Sequence, residues 1–153
     1  MDLKELEDKL KIFYNCCRKQ HLKITPQRVE VYKALIASSD HPSAEVVYEK
    51  VKQVLPNVSL DTVNRTLNTL NKIGAAFIVE GSGDVKRFDG NLENHQHFKC
   101  IKCKKIFDFH CNEFDNIRAP EKLRHKFTVL RVAVYIEGLC QPCFEKENKI
   151  KSN

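Results

Sequence analysis

Apolar residues recur along the start of the chain at helical spacing. Leu3, Leu6, Leu10, Phe13 and Cys17 follow one another at intervals of three and four, which predicts one face of a helix over about residues 3–20. Thr25-Pro26 then offers a hydroxyl N-cap with proline at the first helical position. Val29, Tyr32, Leu35 and Ile36 supply the apolar face of that second helix, and the SSDHP run at 38–42 breaks it. Ser43 can cap a third helix carrying Val47, Val51 and Val54, which stops near Pro56-Asn57. Ser59 can cap a fourth, with Val63, Leu67, Leu70 and Ile73 inward and Gly74 as its stop.

After Gly74 the period shortens. Strands are expected at 75–80 and 85–88 around a GSGD turn at 81–84. Two helices joined by a short turn and followed by a hairpin make a winged helix. In that arrangement the second helix enters the DNA major groove and the wing rests on the backbone. Beyond residue 90 the pattern predicts a strand at 106–109, a helix over 113–126, and a long strand or two made by FTVLRVAVYIEGL at 127–139. EKENKIKSN reads as a solvated or frayed end. The expected architecture is α+β. An N-terminal winged helix-turn-helix domain (1–88) precedes a small C-terminal α/β domain (89–153), with a hinge near Asp89-Gly90.

Composition narrows the function classes. No apolar run approaches the roughly 18–20 residues of a membrane span, and the acidic, amphipathic N-terminus does not read as a secretory signal. A cytoplasmic protein is expected. The net charge of +6 splits as +3 on each side of residue 88, so it fits a polyanionic partner without saying which half would meet it. Seven cysteines, four of them in two C-x-x-C pairs, favour metal thiolates over disulfides in a reducing compartment.

The densest chemistry is HQHFKCIKC at 95–103. Cys100 and Cys103 form one C-x-x-C, and Cys140 and Cys143 form another after 36 intervening residues. Four thiolates make a closed tetrahedral zinc site, structural because no position stays open. Unrelated buried thiols compete with this reading. A redox pair is disfavoured because neither C-x-x-C is expected to open a helix after a strand. His95 and His97 are then spare, and in an extended segment both imidazoles share a face. A mixed site of His95, His97, Cys100 and Cys103 is the rival, but it would orphan Cys140 and Cys143. Pro142-Cys143 faintly suggests a zinc deaminase, yet the required H-x-E glutamate is absent. With no Ser-His-Asp set, Walker loop or G-x-G-x-x-G, no enzyme and no small organic substrate are expected.

Together LKITPQR at 22–28, HPSAEVVY at 41–48, SLDTVNRTLNTL at 59–70, RFD at 87–89, HQHFKCIKC, FDF at 107–109 and GLCQPC at 138–143 resemble the ferric uptake regulator (Fur) family. The resemblance runs in order across nearly the whole chain. It implies a homodimer binding double-stranded operator DNA, with the C-terminal domain as the dimerisation domain. Asp89, Asp108 and the two intact C-x-x-C pairs place the chain nearest the peroxide-sensing, PerR-like branch. By the motif match, His41, Asp89, His95, His97 and Asp108 would bind a regulatory Fe(II) or Mn(II), and bound Fe(II) would react with peroxide at His41 or His95. Asn94 and Gln96 stand where the family often has further metal ligands, so that extra site is expected to be absent. His21, His110 and His125 are assigned to the surface or to supporting positions, and Cys16, Cys17 and Cys111 to small hydrophobes or free thiols.

On the fourth helix Asp61, Thr62, Asn64, Arg65 and Asn68 lie off the apolar face, and arginine and asparagine can read base edges. The resemblance adds Lys23, Arg28 and Ser59 as DNA contacts. It also exposes a departure: Asn64 replaces the usual tyrosine of the T-V-Y-R motif, which puts the operator sequence in question. The reading is a metal-dependent repressor sensing peroxide. Its alternatives are an iron-level sensor of the same fold and a zinc-stapled metal-binding or interaction module without operator binding.

Overall fold

The computed structural model describes residues 2–79, 85–129 and 132–151. They form two compact units, Met1–Leu92 and Glu93–Asn153. No helix among the described residues is long and apolar enough to cross a membrane.

Unit one begins with four helices: α1 (Leu3–Lys19), α2 (Pro26–Ile36), α3 (Ala44–Lys52) and α4 (Leu60–Lys72). Each starts where a short polar side chain can satisfy a free backbone N–H. Thr25, Ser43 and Ser59 cap α2, α3 and α4 as the sequence suggests, and Asp2 adds an unforeseen cap, accepting from Glu5 N–H at 2.7 Å. The apolar faces meet in one core around Phe13, Val31, Leu35, Val47, Val63, Leu67 and Leu70. Cys17 is buried in it as a small hydrophobe. Tyr32 stacks on Phe13 with ring centroids 4.8 Å apart, and its hydroxyl donates to the Lys9 carbonyl at 3.1 Å.

After α4, β1 (Phe77–Val79) and β2 (Arg87–Asp89) pair antiparallel, with Phe77 opposite Asp89. The hairpin is shorter than expected from 75–80 and 85–88, and it runs one residue later to include Asp89. The GSGD turn lies outside the described residues. A helix-turn-helix followed by this hairpin is a winged helix. Phe88 N–H donates to the Pro42 carbonyl at 3.0 Å, which ties the loop before α3 to β2.

Unit two is built on a three-stranded sheet of order β4-β3-β5. β3 (Gln96–Cys100) runs antiparallel to β4 (Ile106–Phe109) and parallel to β5 (Tyr135–Gly138). Three expectations are corrected here. The helix expected over 113–126 is two short ones, α5 (Asn112–Asp115) and α6 (Glu121–Lys126). Pro120 stands at the N-cap of α6, and the residue before a proline is steered out of helical geometry. Over 127–139 the described strand is β5 alone, four residues instead of a long strand, with residues 130–131 outside the described residues. Finally, the expected frayed tail is largely helix α7 (Gln141–Lys151).

Candidate metal centres and nucleic-acid interface

Four cysteines converge in unit two. Cys100 ends β3, Cys103 lies in the turn before β4, Cys140 follows β5 and Cys143 sits in the first turn of α7. Their sulfurs all lie within 4.8 Å of one another. The Cys103 and Cys140 Sγ atoms are 3.7 Å apart. A tetrahedral zinc with Zn–S bonds of about 2.3 Å sets its sulfurs about 3.8 Å apart, so the cluster suits a structural zinc. The backbone supports the charge that zinc would need: N–H groups of Cys140 and Cys103 donate to Cys100 Sγ at 3.4 and 3.5 Å. Led by the Cys140 bond, these lower the Cys100 thiol to about 6. Burial, aided by the neighbouring thiols, pushes Cys143 up to about 12. Contrary to the expectation from sequence, Cys140 and Cys143 do straddle a strand-to-helix junction. The convergence of all four sulfurs, rather than the position of one pair, is what favours a metal cluster.

At the other end of β3 lies a different donor set, His97 within the strand and His95 just before it. His95 and His97 are both buried, with their Nε2 atoms 3.0 Å apart. Asp108 faces His97 across the β3–β4 ladder. Its Oδ1 lies 3.6 Å from His95 Nε2 and 3.5 Å from His97 Nε2. Glu93 holds the His95 ring by its carbonyl, 2.8 Å from Nδ1. With the proton on Nδ1, the Nε2 lone pair is directed at the other donors. Metal–nitrogen bonds of about 2.1 Å at a right angle put two nitrogens about 3.0 Å apart. Two imidazoles and a carboxylate are a donor set that suits iron or manganese.

Unit one supplies a matching pair. His41 and Asp89 are both buried, with His41 Nε2 3.8 Å from Asp89 Oδ2. The Phe88–Pro42 hydrogen bond brings their segments together. Asp89 is held by Asn91 N–H, which donates to Oδ1 at 2.7 Å. Gly90 must be glycine-sized: a Cβ there would meet Ile36 Cγ2 at 2.9 Å and Ile36 Cα at 3.2 Å. His41 has a left-handed backbone, φ 48°, at a cost of roughly 1–2 kcal/mol for a residue with a Cβ. Strain of this kind persists where the surroundings over-determine a conformation.

The remaining histidines stay outside these sets. His21, His110 and His125 are exposed, and the His110 ring centroid lies 6.2 Å from that of His95. Asn94 and Gln96 are engaged with Asp115 through their side-chain amides.

The expected DNA contacts cluster on α4 and at the start of α2. Ser59, Asn64 and Arg65 are exposed, and Thr62 and Asn68 are half-buried. Ser59 Oγ caps α4 by accepting from Thr62 N–H at 3.1 Å and lies 2.9 Å from Thr62 Oγ1. Arg65 extends into solvent, 3.6 Å from Asp61. Asn68 Nδ2 donates to the Asn64 carbonyl at 2.7 Å, and Lys86 beside the wing donates to Asn68 Oδ1 at 3.3 Å. Lys86 was not among the residues expected from sequence; only its place in the hairpin pointed to it. Lys23 is exposed, and the half-buried Arg28 donates to the Lys23 carbonyl.

Comparison with known proteins agrees with this picture. A family model described as the ferric uptake regulator family matches residues 19–137. The peroxide-responsive repressor PerR of Staphylococcus epidermidis is 32% identical over 147 residues, covering 96% of this chain and 98% of its own. The repressor of the same name from Staphylococcus aureus strain Mu50 is 30% identical over 146 residues, covering 95% and 99%. Among solved structures, the ferric uptake regulator of Helicobacter pylori, described as having three functional metal-binding sites, is 28% identical with a TM-score of 0.72, covering 91% of this chain and 93% of its own.

Proposed function

The chain belongs to the ferric uptake regulator family, and from that premise we propose that it is a cytoplasmic, homodimeric, metal-dependent transcriptional repressor that senses peroxide. The observation that carries the proposal is β3 itself. One end delivers a thiol to a closed four-sulfur cluster, and the other, with His95 just before it, presents two imidazoles to a carboxylate. The first suits an ion that only holds the fold, the second an ion that comes and goes.

In this reading His41, Asp89, His95, His97 and Asp108 hold the regulatory Fe(II) or Mn(II). The donor chemistry in each unit and the motif match support that assignment. Ligands drawn from both 1–88 and 89–153, counting Asp89 at the junction, make the arrangement of the two domains depend on the ion. DNA affinity then follows by population shift. Lys23, Arg28, Ser59, Thr62, Asn64, Arg65 and Asn68 face the operator, with the exposed Arg65 and Asn64 as the side chains best placed to reach base edges or phosphates. Dimerisation through the C-terminal domain is supported by apolar side chains left exposed there, among them Phe107, Phe127, Val132 and Ile136. No catalytic turnover is part of this function.

Bound Fe(II) would supply redox chemistry with hydrogen peroxide. The chain's contribution is to place oxidisable imidazoles at the ion and to let the loss of one release DNA. The names of the Staphylococcus relatives favour this over an iron-level sensor, the reading to which the Helicobacter pylori protein points. Brief peroxide treatment of the Fe(II) form, followed by peptide mass spectrometry and a DNA gel shift, separates the two. A peroxide sensor gains one oxygen on His41 or His95 and loses DNA, while its Mn(II) form does neither. Unmodified histidines with DNA binding retained would leave the iron-level sensor.

A further inference from the structure

Gln96 lies between two proposed metal ligands without being one. It stands on β3 between His95 and His97, and it is 2% exposed. Successive side chains on a strand point to opposite faces, so Gln96 is turned away from the imidazoles. Both ends of its amide are engaged. Nε2 donates to Asp115 Oδ1 at 2.8 Å, and Oε1 accepts from Cys111 N–H at 2.9 Å. These partners fix which way the amide lies, because a carboxylate only accepts and a backbone N–H only donates.

The partners are placed to matter. Cys111 follows Asp108 by three residues and is the N-cap of α5, whose start has no side-chain cap hydrogen bond. Asp115 is the last residue of α5, a helix with no buried residue of its own. Gln96 therefore joins the segment that carries both imidazoles to the chain that leaves Asp108, and it ties α5 to the start of β3. Asn94 assists, with Nδ2 at 3.4 Å from Asp115 Oδ1.

We infer that Gln96 is a positioning residue for the His95, His97 and Asp108 donors, holding their spacing through the Cys111 and Asp115 bonds. The inference rests on the metal-binding reading above. The role is specific to an amide. Glutamate would set two carboxylates against each other, and leucine would leave both partners without Gln96. Exchanging the chemistry of both positions, Gln96→Glu with Asp115→Asn, restores it: the new carboxylate accepts from Cys111 N–H and from the new amide.

The test titrates Mn(II) alone into the zinc-loaded full chain, reading free Mn(II) by electron paramagnetic resonance and zinc by elemental analysis. Gln96→Glu is expected to weaken Mn(II) by roughly tenfold or more, in the range seen when an outer hydrogen bond of a metal site is lost. Zinc content stays unchanged, and the double variant returns to near the parent affinity. Parent-like affinity in Gln96→Glu overturns the inference, as does a folded double variant no tighter than the single one. If Gln96→Glu does not fold, a folded double variant with parent affinity still supports the inference, and failure of both to fold overturns a positioning role. A parent chain that binds no Mn(II), or His97→Ala binding as well as the parent, overturns the metal reading and this inference with it.

Discussion

Two donor sets share one strand, and they differ in where their remaining members come from. The thiol cluster is complete within unit two, since Cys100, Cys103, Cys140 and Cys143 all belong to it. The imidazole–carboxylate donors proposed for the regulatory ion are divided: His95, His97 and Asp108 belong to unit two, His41 and Asp89 to unit one. A set confined to one unit can stabilise that unit but cannot report on its neighbour. A divided set can couple metal occupancy to the arrangement of the whole chain. The donors differ in the same sense. Four soft thiolates close the coordination shell, whereas imidazoles and carboxylates suit metals held for exchange or reaction.

The strongest way to break the contrast is to remove a thiol. Cys143→Ser is expected to abolish stoichiometric zinc and, because binding of a structural zinc is folding free energy, the cooperative melting of unit two. Elemental analysis and thermal circular dichroism check this, and Mn(II) binding should fall with it. His97→Ala makes the opposite cut. Mn(II) affinity should drop by more than the roughly 10–100-fold typical of losing an outer partner, while stoichiometric zinc is kept and unit two still melts cooperatively, at a lower temperature because His97 is buried. Equal loss of both metals in both variants would erase the distinction.

Smaller effects sharpen it. Gly90→Ala forces a Cβ to 2.9 Å from Ile36 Cγ2 and 3.2 Å from Ile36 Cα, and overpacking of this kind costs about 1–3 kcal/mol. Chemical denaturation should show unit one destabilised and zinc untouched. Because Asp89 precedes Gly90, Mn(II) affinity should weaken too. Arg65→Ala, on an exposed face of α4, should change neither metal nor the denaturation midpoint. It should weaken DNA binding and, if the guanidinium meets a phosphate, lower the salt dependence by about one. A salt titration of DNA affinity reads this directly.

Much of unit one was legible in the sequence because its helices carry long apolar faces and explicit caps. Thr25, Ser43 and Ser59 stand where the first free N–H groups need an acceptor. Unit two was harder because its elements are short and depend on distant partners. Nothing local in KENKIK announces α7, which has no strong apolar face of its own. β-branched residues before Tyr135 promise a strand that the described residues show only from Tyr135 on, because strand propensity depends on packing against neighbours that no local window contains. The candidate donors were legible as motifs. The C-x-x-C spacing pointed to four sulfurs, and the H-x-H spacing put two imidazoles on one face. What spacing could not give was the support: the Glu93 carbonyl behind His95, the tether from Phe88 to Pro42, and the Gln96 amide between Cys111 and Asp115. Such contacts are made by backbone groups or by residues distant in sequence, so they exist only once the chain is folded.

In the proposed function zinc holds the fold while a second ion controls the DNA. The decisive measurement is retention of genomic DNA fragments on the zinc-loaded protein, with and without added Mn(II), zinc being assayed in the same samples. A defined set of fragments should be retained with Mn(II) and released when it is chelated, at constant zinc. Retention of the same fragments regardless of Mn(II), or of none under either condition, would contradict it.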